Sequence, residues 1–317
     1  MALFSGRNKP EQDGHNGHKG KSVILVKTVE PIQSRTSTPG ACPTVIFPVC
    51  LKGQEATINQ TINNHMYNEF ADSWWDENGT LHLLKVMVNP WRVPYFAEAL
   101  KERFGADLSH VRLLDIGCGG GVLAEEFARL GCQVTGIDIS EDSLAVARGH
   151  AQTQGLLIEY QSGSATQLPF DGNSFEVVSC CDALEHIPNW EQVIAEVGRV
   201  LKPEGLFLFD TINRTPKSKV NFIFGLQDFS YTKLFPKNAH VWEMFITPEE
   251  LTQVLEKNGM KVKGLSGGVI ARDPLSTLQE VRRYKRGKIN VAELGRRLEL
   301  KLDSDLSLNY LGYARKA

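Results

Sequence analysis

The sequence predicts an α/β fold in which a seven-stranded, mostly parallel sheet is flanked by helices. Three observations carry this prediction. Short apolar runs alternate along the chain with amphipathic helical segments. A glycine-rich turn, 117–121, joins the first of these strands, 111–116, to the helix expected at 122–130. The next strand, 132–137, is followed by Asp138, roughly 20 residues after the turn, as in nucleoside-binding α/β units.

The glycine turn also indicates which kind of nucleoside it suits. Gly117 and Gly119 bring backbone N–H groups close to a ligand, and the Asp138 carboxylate can accept hydrogen bonds from two ribose hydroxyls. A dinucleotide loop needs a third glycine where this chain has Val122, so an NAD(P) oxidoreductase is disfavoured. Asp115, just before the turn, suits a cationic ligand better than a diphosphate.

The remaining elements are expected in regular order along the chain. Ser140 is the predicted N-cap of a helix that ends near residue 152, and Thr247 begins a capped helix that ends at Asn258-Gly259. Further strands are expected at 156–161, 175–181, 205–212, 261–265 and 306–313, and further helices at 58–71, from Asn89-Pro90 to residue 101, and at 189–201.

The N-terminal residues 1–55 differ from the rest of the chain. They are rich in Gly, Pro, Ser, Thr, Lys and His and show no helical period, which predicts a disordered arm. His15 and His18 lie in this arm, and we expect them to be solvated rather than to bind a metal. One domain, 56–317, is expected to follow, and it begins with N-terminal helices over 56–108.

The composition excludes several classes of protein. The chain has 317 residues, 42% of them hydrophobic, which is enough for one large or two small domains. A formal net charge of −2 lacks the basic excess of a nucleic-acid binder. No apolar run approaches the ~20 residues that span a bilayer, and the six cysteines form neither C-x-x-C pairs nor a secreted disulfide pattern. We expect a globular protein of a reducing compartment, most simply the cytoplasm, that binds no nucleic acid.

A cluster of ionisable residues follows the predicted strand 175–181. Asp182, Glu185 and His186 lie within five residues of one another, at a strand end where open α/β sheets bind their ligands. The segment is either a polar loop before the next helix or a functional site. In a functional site the imidazole is a general base, or the three side chains bind a divalent cation such as Mg²⁺.

Seven short motifs between about residue 60 and the end of the chain resemble, in order, those of the ubiquinone-pathway O-methyltransferases. This family belongs to the class I methyltransferases, which use S-adenosylmethionine (SAM). W-W-D with N-P-x-R ahead of the turn is the most specific pair, whereas D-x-G-x-G-x-G is shared by many methyltransferases. The motifs are F-A-D-S-W-W-D (70–76), N-P-W-R (89–92), D-I-G-C-G-G-G (115–121), G-I-D-I-S (136–140), L-E-H-I-P (184–188), T-I-N-R (211–214) and N-Y-L-G-Y-A (309–314).

The resemblance implies a Rossmann-like class I methyltransferase fold with N-terminal lid helices, and SAM as cofactor. Asp182, Glu185 and His186 fall where the family places acidic and histidine metal ligands, with aspartate replacing the usual glutamate at 182, so Mg²⁺ is the implied metal. Glu185 and His186 are also the expected catalytic residues. The residues expected to contact SAM are Arg92, Asp115, Gly117, Gly119, Asp138, Ile139, Ser164, Ala165 and Cys181.

The implied reaction is methylation of a phenolic hydroxyl, that of a polyprenyl-phenol or quinol on the route to ubiquinone. A phenol with a pKa near ~10 is protonated at neutral pH, so a base is needed. His186, with an ordinary pKa of ~6.5, can serve, or a metal on Asp182 and Glu185 can lower the pKa of the phenol. Three alternatives stay open: an O-methyltransferase for a specialised-metabolite phenol, a quinone C-methyltransferase, and a non-catalytic SAM-binding protein.

Two insertions, 216–237 and 272–305, fall on the acceptor side of such a fold. The first sets aromatic residues among lysines and matches a family region linked to membrane association. We therefore expect peripheral contact with an anionic membrane on its inner face, the matrix side in a eukaryotic mitochondrion. The family's Tyr-Asn-Pro segment is replaced by Ala271-Arg272-Asp273-Pro274, a departure that favours the specialised-metabolite alternative.

Overall fold

An eight-stranded sheet forms the centre of residues 62–317, the part of the chain that the computed structural model describes. The strands are β1 (Arg112–Ile116), β2 (Gln133–Asp138), β3 (Ile158–Ser162), β4 (Phe175–Cys181), β5 (Leu201–Ile212), β6 (Met260–Ile270), β7 (Leu300–Asp303) and β8 (Asn309–Lys316). Their order is β3-β2-β1-β4-β5-β8-β6-β7. The pairings among β1 to β5 are parallel, whereas β8 is antiparallel to β5 and β6. The expected N-terminal arm, including His15 and His18, lies outside the described residues and stays a prediction.

The mostly parallel α/β architecture is confirmed, but the prediction of seven strands is wrong by one. The additional strand, β7, arises within 272–305, which the sequence predicts only as a charged insertion. It pairs antiparallel with β6 at the outer edge, where Gly267 lies opposite Asp303 and Ile270 opposite Leu300. Most side chains of β7 are exposed, so backbone pairing stabilises it and no buried alternation marks it in the sequence.

Helices cover the sheet, and two of them begin at the caps that the sequence predicts. Ser140 Oγ accepts a hydrogen bond from the Ser143 N–H, and Thr247 forms a capping box with Glu250. No helix described in residues 62–317 combines the length and apolar character needed to cross a membrane. The α-helices are α1 (Met66–Glu69), α2 (Asn89–Phe104), α3 (Ala124–Arg129), α4 (Glu141–Thr153), α5 (Trp190–Val200), α6 (Pro216–Ser218), α7 (Pro248–Lys257), α8 (Pro274–Lys285) and α9 (Val291–Leu298).

Neighbouring side chains of the central strand β1 belong to two separate hydrophobic clusters. Leu113 lies in a cluster that includes Phe96 of α2 and Phe127 of α3. Leu114 lies in a cluster that includes Val193 of α5 and Leu251 of α7. Because successive residues of a strand point to opposite faces, helices bury both faces of the sheet. The carboxyl ends of the strands are therefore the place where a ligand can reach the centre of the fold.

The segment before α2 is less helical than predicted. Of the helix expected over 58–71, the described part shows only the single turn α1 and then a 3₁₀ turn, Ala71–Trp74. Asn63 donates its backbone N–H to Asn238 O at 2.8 Å, and Asn64 Nδ2 donates to His186 O at 3.0 Å. The side-chain contact of Asn64 is typical of asparagine, whose amide competes with the helix for backbone groups. A π-helical turn, Leu84–Val88, then leads into α2.

The two predicted insertions are packed parts of the domain. The first contains α6 and a π-helical stretch, Lys219–Asp228, and the second contains α8, α9 and β7. Leu234 from the first packs against a cluster formed by the second, which includes Leu294 and Leu298, and so does Met87 from the segment before α2. The insertions therefore hold each other against the N-terminal part of the domain.

Candidate active site

A cavity of about 650 Å³ lies at the carboxyl ends of β1, β2 and β4. The strand order reverses between β1 and β4, which is the position where open α/β sheets bind ligands. All nine residues that the sequence assigns to the cofactor line this cavity, and so do Asp182 and His186. Glu185 is not among the described residues that line it. The volume is typical of a small-molecule site.

The glycine turn in this cavity is covered by a pair of tryptophans. Gly119 has a φ of +50°, which favours glycine, whereas Gly120 lies outside that backbone region. A Cβ at Gly120 would fall 2.2 Å from Cγ of Trp74. The indole N–H of Trp74 donates to Ser143 Oγ at 3.1 Å, and that of Trp75 donates to Gly120 O at 2.8 Å. The chain before α2 thus supplies one wall of the site.

Asp138 is held at the end of β2 by two backbone hydrogen bonds. Its Oδ2 accepts the Gly119 N–H and its Oδ1 accepts the Ser140 N–H, both at 2.8 Å. Burial raises the pKa of this carboxyl, although the two hydrogen bonds lower it in part. A carboxylate has about four acceptor positions, so further positions remain for the hydroxyls of a ribose.

Asp115, in β1 just before the glycine turn, supplies a second, buried carboxylate to the cavity. Its Oδ1 accepts a hydrogen bond from Ser179 Oγ at 2.6 Å, whereas its Oδ2 has no partner among residues 62–317. Burial raises the pKa of Asp115 to about 7. An unpaired carboxylate oxygen in a low-dielectric cavity attracts a cationic group, which would restore its charge.

Arg92 joins α2 to the loop after β4 and to the carboxyl end of β5. The Arg92 guanidinium, 2% exposed, donates through NH1 to Asp210 Oδ2 at 2.8 Å and to Asp182 Oδ2. Although burial opposes the charge on Arg92, the two carboxylates raise its pKa. The Asp182 N–H also donates to Asp210 Oδ1 at 2.8 Å, and Asp182 has a φ of +50°, uncommon for a non-glycine residue. Asp210 therefore holds both the arginine and the start of the polar pentapeptide.

Glu185 and His186, the expected catalytic pair, have different surroundings. Glu185 is buried against β5, where its Oε2 accepts a hydrogen bond from Thr211 Oγ1 at 2.8 Å, and burial raises its pKa to about 8. His186 lines the cavity, with its Nε2 3.1 Å from the Tyr67 hydroxyl. Burial lowers the pKa of His186 to about 4, so its imidazole is neutral at pH 7.

Sequence reasoning missed three polar residues of this region: Tyr67, Asp210 and His240. Asp210 stands near the carboxyl end of β5, so the strand-end rule that identifies Asp138 also applies to it. Tyr67 and His240 carry no local signal, because only the fold brings them to His186, 119 residues away in the case of Tyr67.

Comparison with known proteins assigns the family. Residues 114–209 match the family model described as a methyltransferase domain. A ubiquinone biosynthesis O-methyltransferase from Nitrosococcus oceani is 37% identical over 252 residues, which cover 79% of this chain and 93% of the relative. The chain belongs to the ubiquinone biosynthesis O-methyltransferase family. A relative of the same name from Roseobacter denitrificans is 40% identical over 200 residues, which cover 61% of this methyltransferase and 79% of the relative.

A solved structure shares the fold of this methyltransferase. Magnesium protoporphyrin IX methyltransferase from Synechocystis PCC 6803, crystallised with bound S-adenosylhomocysteine (SAH), aligns over 80% of this chain and 96% of its own, with a TM-score of 0.52. At 16% sequence identity the likeness shows the fold alone. This likeness confirms the predicted class I fold, and the family match shows that the chain is a SAM-dependent methyltransferase.

The chemistry of the cavity fits SAM. The unpaired Asp115 oxygen suits a ligand that carries positive charge, and Asp138 stands where a ribose is bound in this class of fold. Gly117 and Gly119 have positive φ, and a Cβ would fall 2.7 Å from that of Ala183 at the first and 2.4 Å from the Trp74 indole at the second, so the turn requires glycine at both positions. That each of the nine lining residues contacts SAM stays a prediction.

The same region does not fit the divalent metal that the resemblance implies. Asp182 is paired with Arg92, and Glu185 is turned toward β5 by the 3₁₀ turn Leu184–His186. No group of three or more His, Cys, Asp or Glu side chains is arranged as a metal site within residues 62–317. The predicted ligands Asp182, Glu185 and His186 are thus not brought together, and we assign no step to Mg²⁺.

Proposed function

We propose that this methyltransferase transfers the methyl group of SAM to a phenolic hydroxyl of a polyprenyl-phenol or quinol in ubiquinone-type quinone biosynthesis. The observation that carries the proposal is a neutral, buried imidazole, His186, on the wall of the cofactor cavity. Family membership supports the class of acceptor, because the matched relatives are named for ubiquinone biosynthesis.

The cavity residues hold and enclose the reactants. Bound SAM supplies an electrophilic methyl group on a sulfonium, and in-line alignment with a dehydrated acceptor oxygen gives much of the acceleration. Asp138 and the glycine turn would bind the nucleoside, and Asp115 would face the cationic part. Trp74 covers the turn and excludes water from this side of the site.

His186 is the proposed general base, and Tyr67 orients it. Burial raises the pKa of the Tyr67 hydroxyl far above its ordinary value, so this group stays neutral. When Nε2–H of His186 donates to the Tyr67 oxygen, Nδ1 carries the free lone pair and can accept the acceptor's proton. The Tyr67 hydroxyl holds the ring in place, and in this tautomer the base is available.

The low pKa of His186 determines when the proton moves. A phenol pKa of ~10 and an imidazole pKa of about 4 differ by roughly 8 kcal/mol in proton affinity. Formation of a free phenolate before methyl transfer would therefore cost too much. The proton passes to Nδ1 while the new O–C bond forms, and the neutral imidazole is ready at physiological pH because burial keeps it unprotonated.

The lipid-linked acceptor and the peripheral membrane location are proposed from the first insertion. Val220, Phe224 and Tyr231 expose 61%, 59% and 51% of their surfaces, respectively. An exposed apolar face beside lysines suits the surface of an anionic membrane, in which a polyprenyl-phenol is dissolved. The acceptor would then pass from the membrane to the site beneath this insertion.

The test is methyl transfer from labelled SAM to three acceptors. They are a polyprenyl-phenol in anionic vesicles, a short-chain soluble phenol, and the dimethyl ether of a quinol, in which both oxygens are already methylated. We expect labelled methyl ether from the first two and faster transfer to the first, with activity retained in EDTA. Faster transfer to the soluble phenol would assign a specialised-metabolite acceptor, and label on ring carbon would assign a C-methyltransferase. SAH binding without any transfer would contradict an enzymatic role.

A further inference from the structure

A second histidine, His240, lies beside the proposed base. The imidazole rings of His186 and His240 are 5.3 Å apart between centroids and inclined by 44°. Phe222, Phe235 and Phe245 surround His240 at ring-centroid distances of 6.1, 5.3 and 6.1 Å. His240 therefore lies beside His186 and is surrounded by aromatic rings. It follows the first insertion directly in the sequence.

The backbone of His240 is fixed by a buried polar side chain. Gln227, 2% exposed, lies in the π-helical stretch and accepts the His240 N–H through its Oε1 at 2.8 Å. This contact ties the position of His240 to the insertion that is expected to admit the acceptor. A residue anchored in this way is placed reproducibly relative to His186, as a binding group requires.

Both imidazoles leave a ring nitrogen unsatisfied. Nδ1 of His186 and Nδ1 of His240 are buried, and neither has a hydrogen-bond partner among residues 62–317. A buried polar atom without a partner is costly, and native structures rarely tolerate it without a reason. An apolar ring would fill the enclosure of His240 without this cost. These two nitrogens lie on neighbouring rings, of which His186 lines the cavity, and each could accept a hydrogen bond from a polar group of a ligand or donate one to it.

We propose that His240 is a second catalytic residue, which binds the phenolic oxygen of the acceptor opposite His186. This inference rests on the proposed function. A phenolic hydroxyl has one donor and two acceptor positions. Its O–H donates to Nδ1 of His186, one lone pair accepts Nδ1–H of His240, and the other lone pair faces the methyl group.

Proton transfer and methyl transfer occur in one step. The O–H bond breaks and its proton goes to Nδ1 of His186, while the acceptor oxygen forms the bond to the methyl carbon. The electrons of the S–CH₃ bond return to sulfur. During this step negative charge develops on the oxygen, and the hydrogen bond from His240 stabilises it. The ether oxygen of the product again has two lone pairs: one keeps the bond from His240, and the other is the pair left by the broken O–H bond. His186 afterwards loses its proton to solvent.

The experiment compares His240→Phe with His240→Asn in the full-length protein. Phenylalanine keeps the ring and removes the nitrogens, whereas the asparagine amide reaches approximately the place of Nδ1. We expect His240→Phe to lower kcat/KM for the phenol by about 10- to 100-fold, the range of a hydrogen bond to a charged group. His240→Asn should recover part of this loss, and SAH affinity by calorimetry should be unchanged in both. The matched control is His110→Phe, at an exposed histidine, which should retain wild-type kinetics.

The outcomes separate this inference from the function on which it rests. If the wild-type protein methylates a phenol and His240→Phe does so with unchanged kcat and KM, His240 is only a packing residue and the inference is wrong. Equal losses in the two variants, without recovery by asparagine, would overturn it as well. If the wild-type protein transfers no methyl group to any phenol, the proposed function itself fails.

Discussion

Replacement of Asp115 by asparagine should stabilise the protein and weaken its binding of the cofactor. Burial raises the pKa of Asp115 from 3.8 to about 7, although the hydrogen bond from Ser179 opposes the change. Above pH 7 the folded protein therefore carries a buried charge that the unfolded chain would solvate. The difference between these pKa values corresponds to about 4 kcal/mol of unfolding free energy. The neutral amide avoids this cost and can keep the bond from Ser179.

The stabilisation by Asp115→Asn has a defined dependence on pH. Between pH 3.8 and about 7 the folded state holds a proton that the unfolded state has released. The stability of the wild-type protein therefore falls as the pH rises through this window, and the contribution of Asp115 becomes constant above it. The variant lacks this titration, so its advantage should grow by about 2–3 kcal/mol between pH 5 and pH 8.

Urea unfolding of both proteins at pH 5 and pH 8 measures the advantage, and calorimetry measures SAH affinity. Asp107→Asn is the matched control, because Asp107 is exposed and hydrogen bonds to Ser109 lower its pKa. This control should show no advantage that grows with pH. The reasoning is refuted if the advantage of Asp115→Asn is the same at both pH values, or if this variant binds SAH as tightly as the wild-type protein.

Three further outcomes are expected. His186→Ala should lower turnover by a factor of ~10²–10⁴, as for loss of a general base, with SAH affinity unchanged by calorimetry; unchanged turnover would make His186 structural. Asp138→Ala should weaken SAH binding by about 1–3 kcal/mol, and an unaltered affinity would contradict its role at the ribose. Replacing Val220, Phe224 and Tyr231 by serine should reduce sedimentation with anionic liposomes while SAH binding persists; if the wild-type protein does not sediment at low salt, the membrane proposal is wrong.

Much of the fold was predictable because its signals are local. The run of apolar residues at 175–181 coincides with β4, and the caps at Ser140 and Thr247 place the starts of α4 and α7. The cavity residues were predictable for a related reason. Parallel strands bring their carboxyl ends together, so acidic and glycine residues at successive strand ends must meet.

The directions and partners of the polar side chains were not predictable. Asp182 pairs with Arg92, 90 residues away, and no spacing rule relates the two. Glu185 and His186 are adjacent in sequence, yet the 3₁₀ turn sends one to β5 and leaves the other in the cavity. A metal site inferred from spacing alone therefore assumes a convergence of side chains that the turn prevents.

The contact between Trp74 and Gly120 shows that part of the glycine turn is required for packing. Gly120 lies outside the backbone region that favours glycine, so an alanine there meets no conformational barrier and is excluded by the side chain of Trp74, whose Cγ and Cβ would lie 2.2 and 2.5 Å from the new Cβ. Every residue other than glycine at position 74 keeps a Cβ, so a smaller side chain there would remove the clash with the indole but not the clash between the two Cβ atoms. A Gly120→Ala variant would displace Trp74. A loss of cofactor affinity in this variant would therefore not by itself show that Gly120 contacts the cofactor.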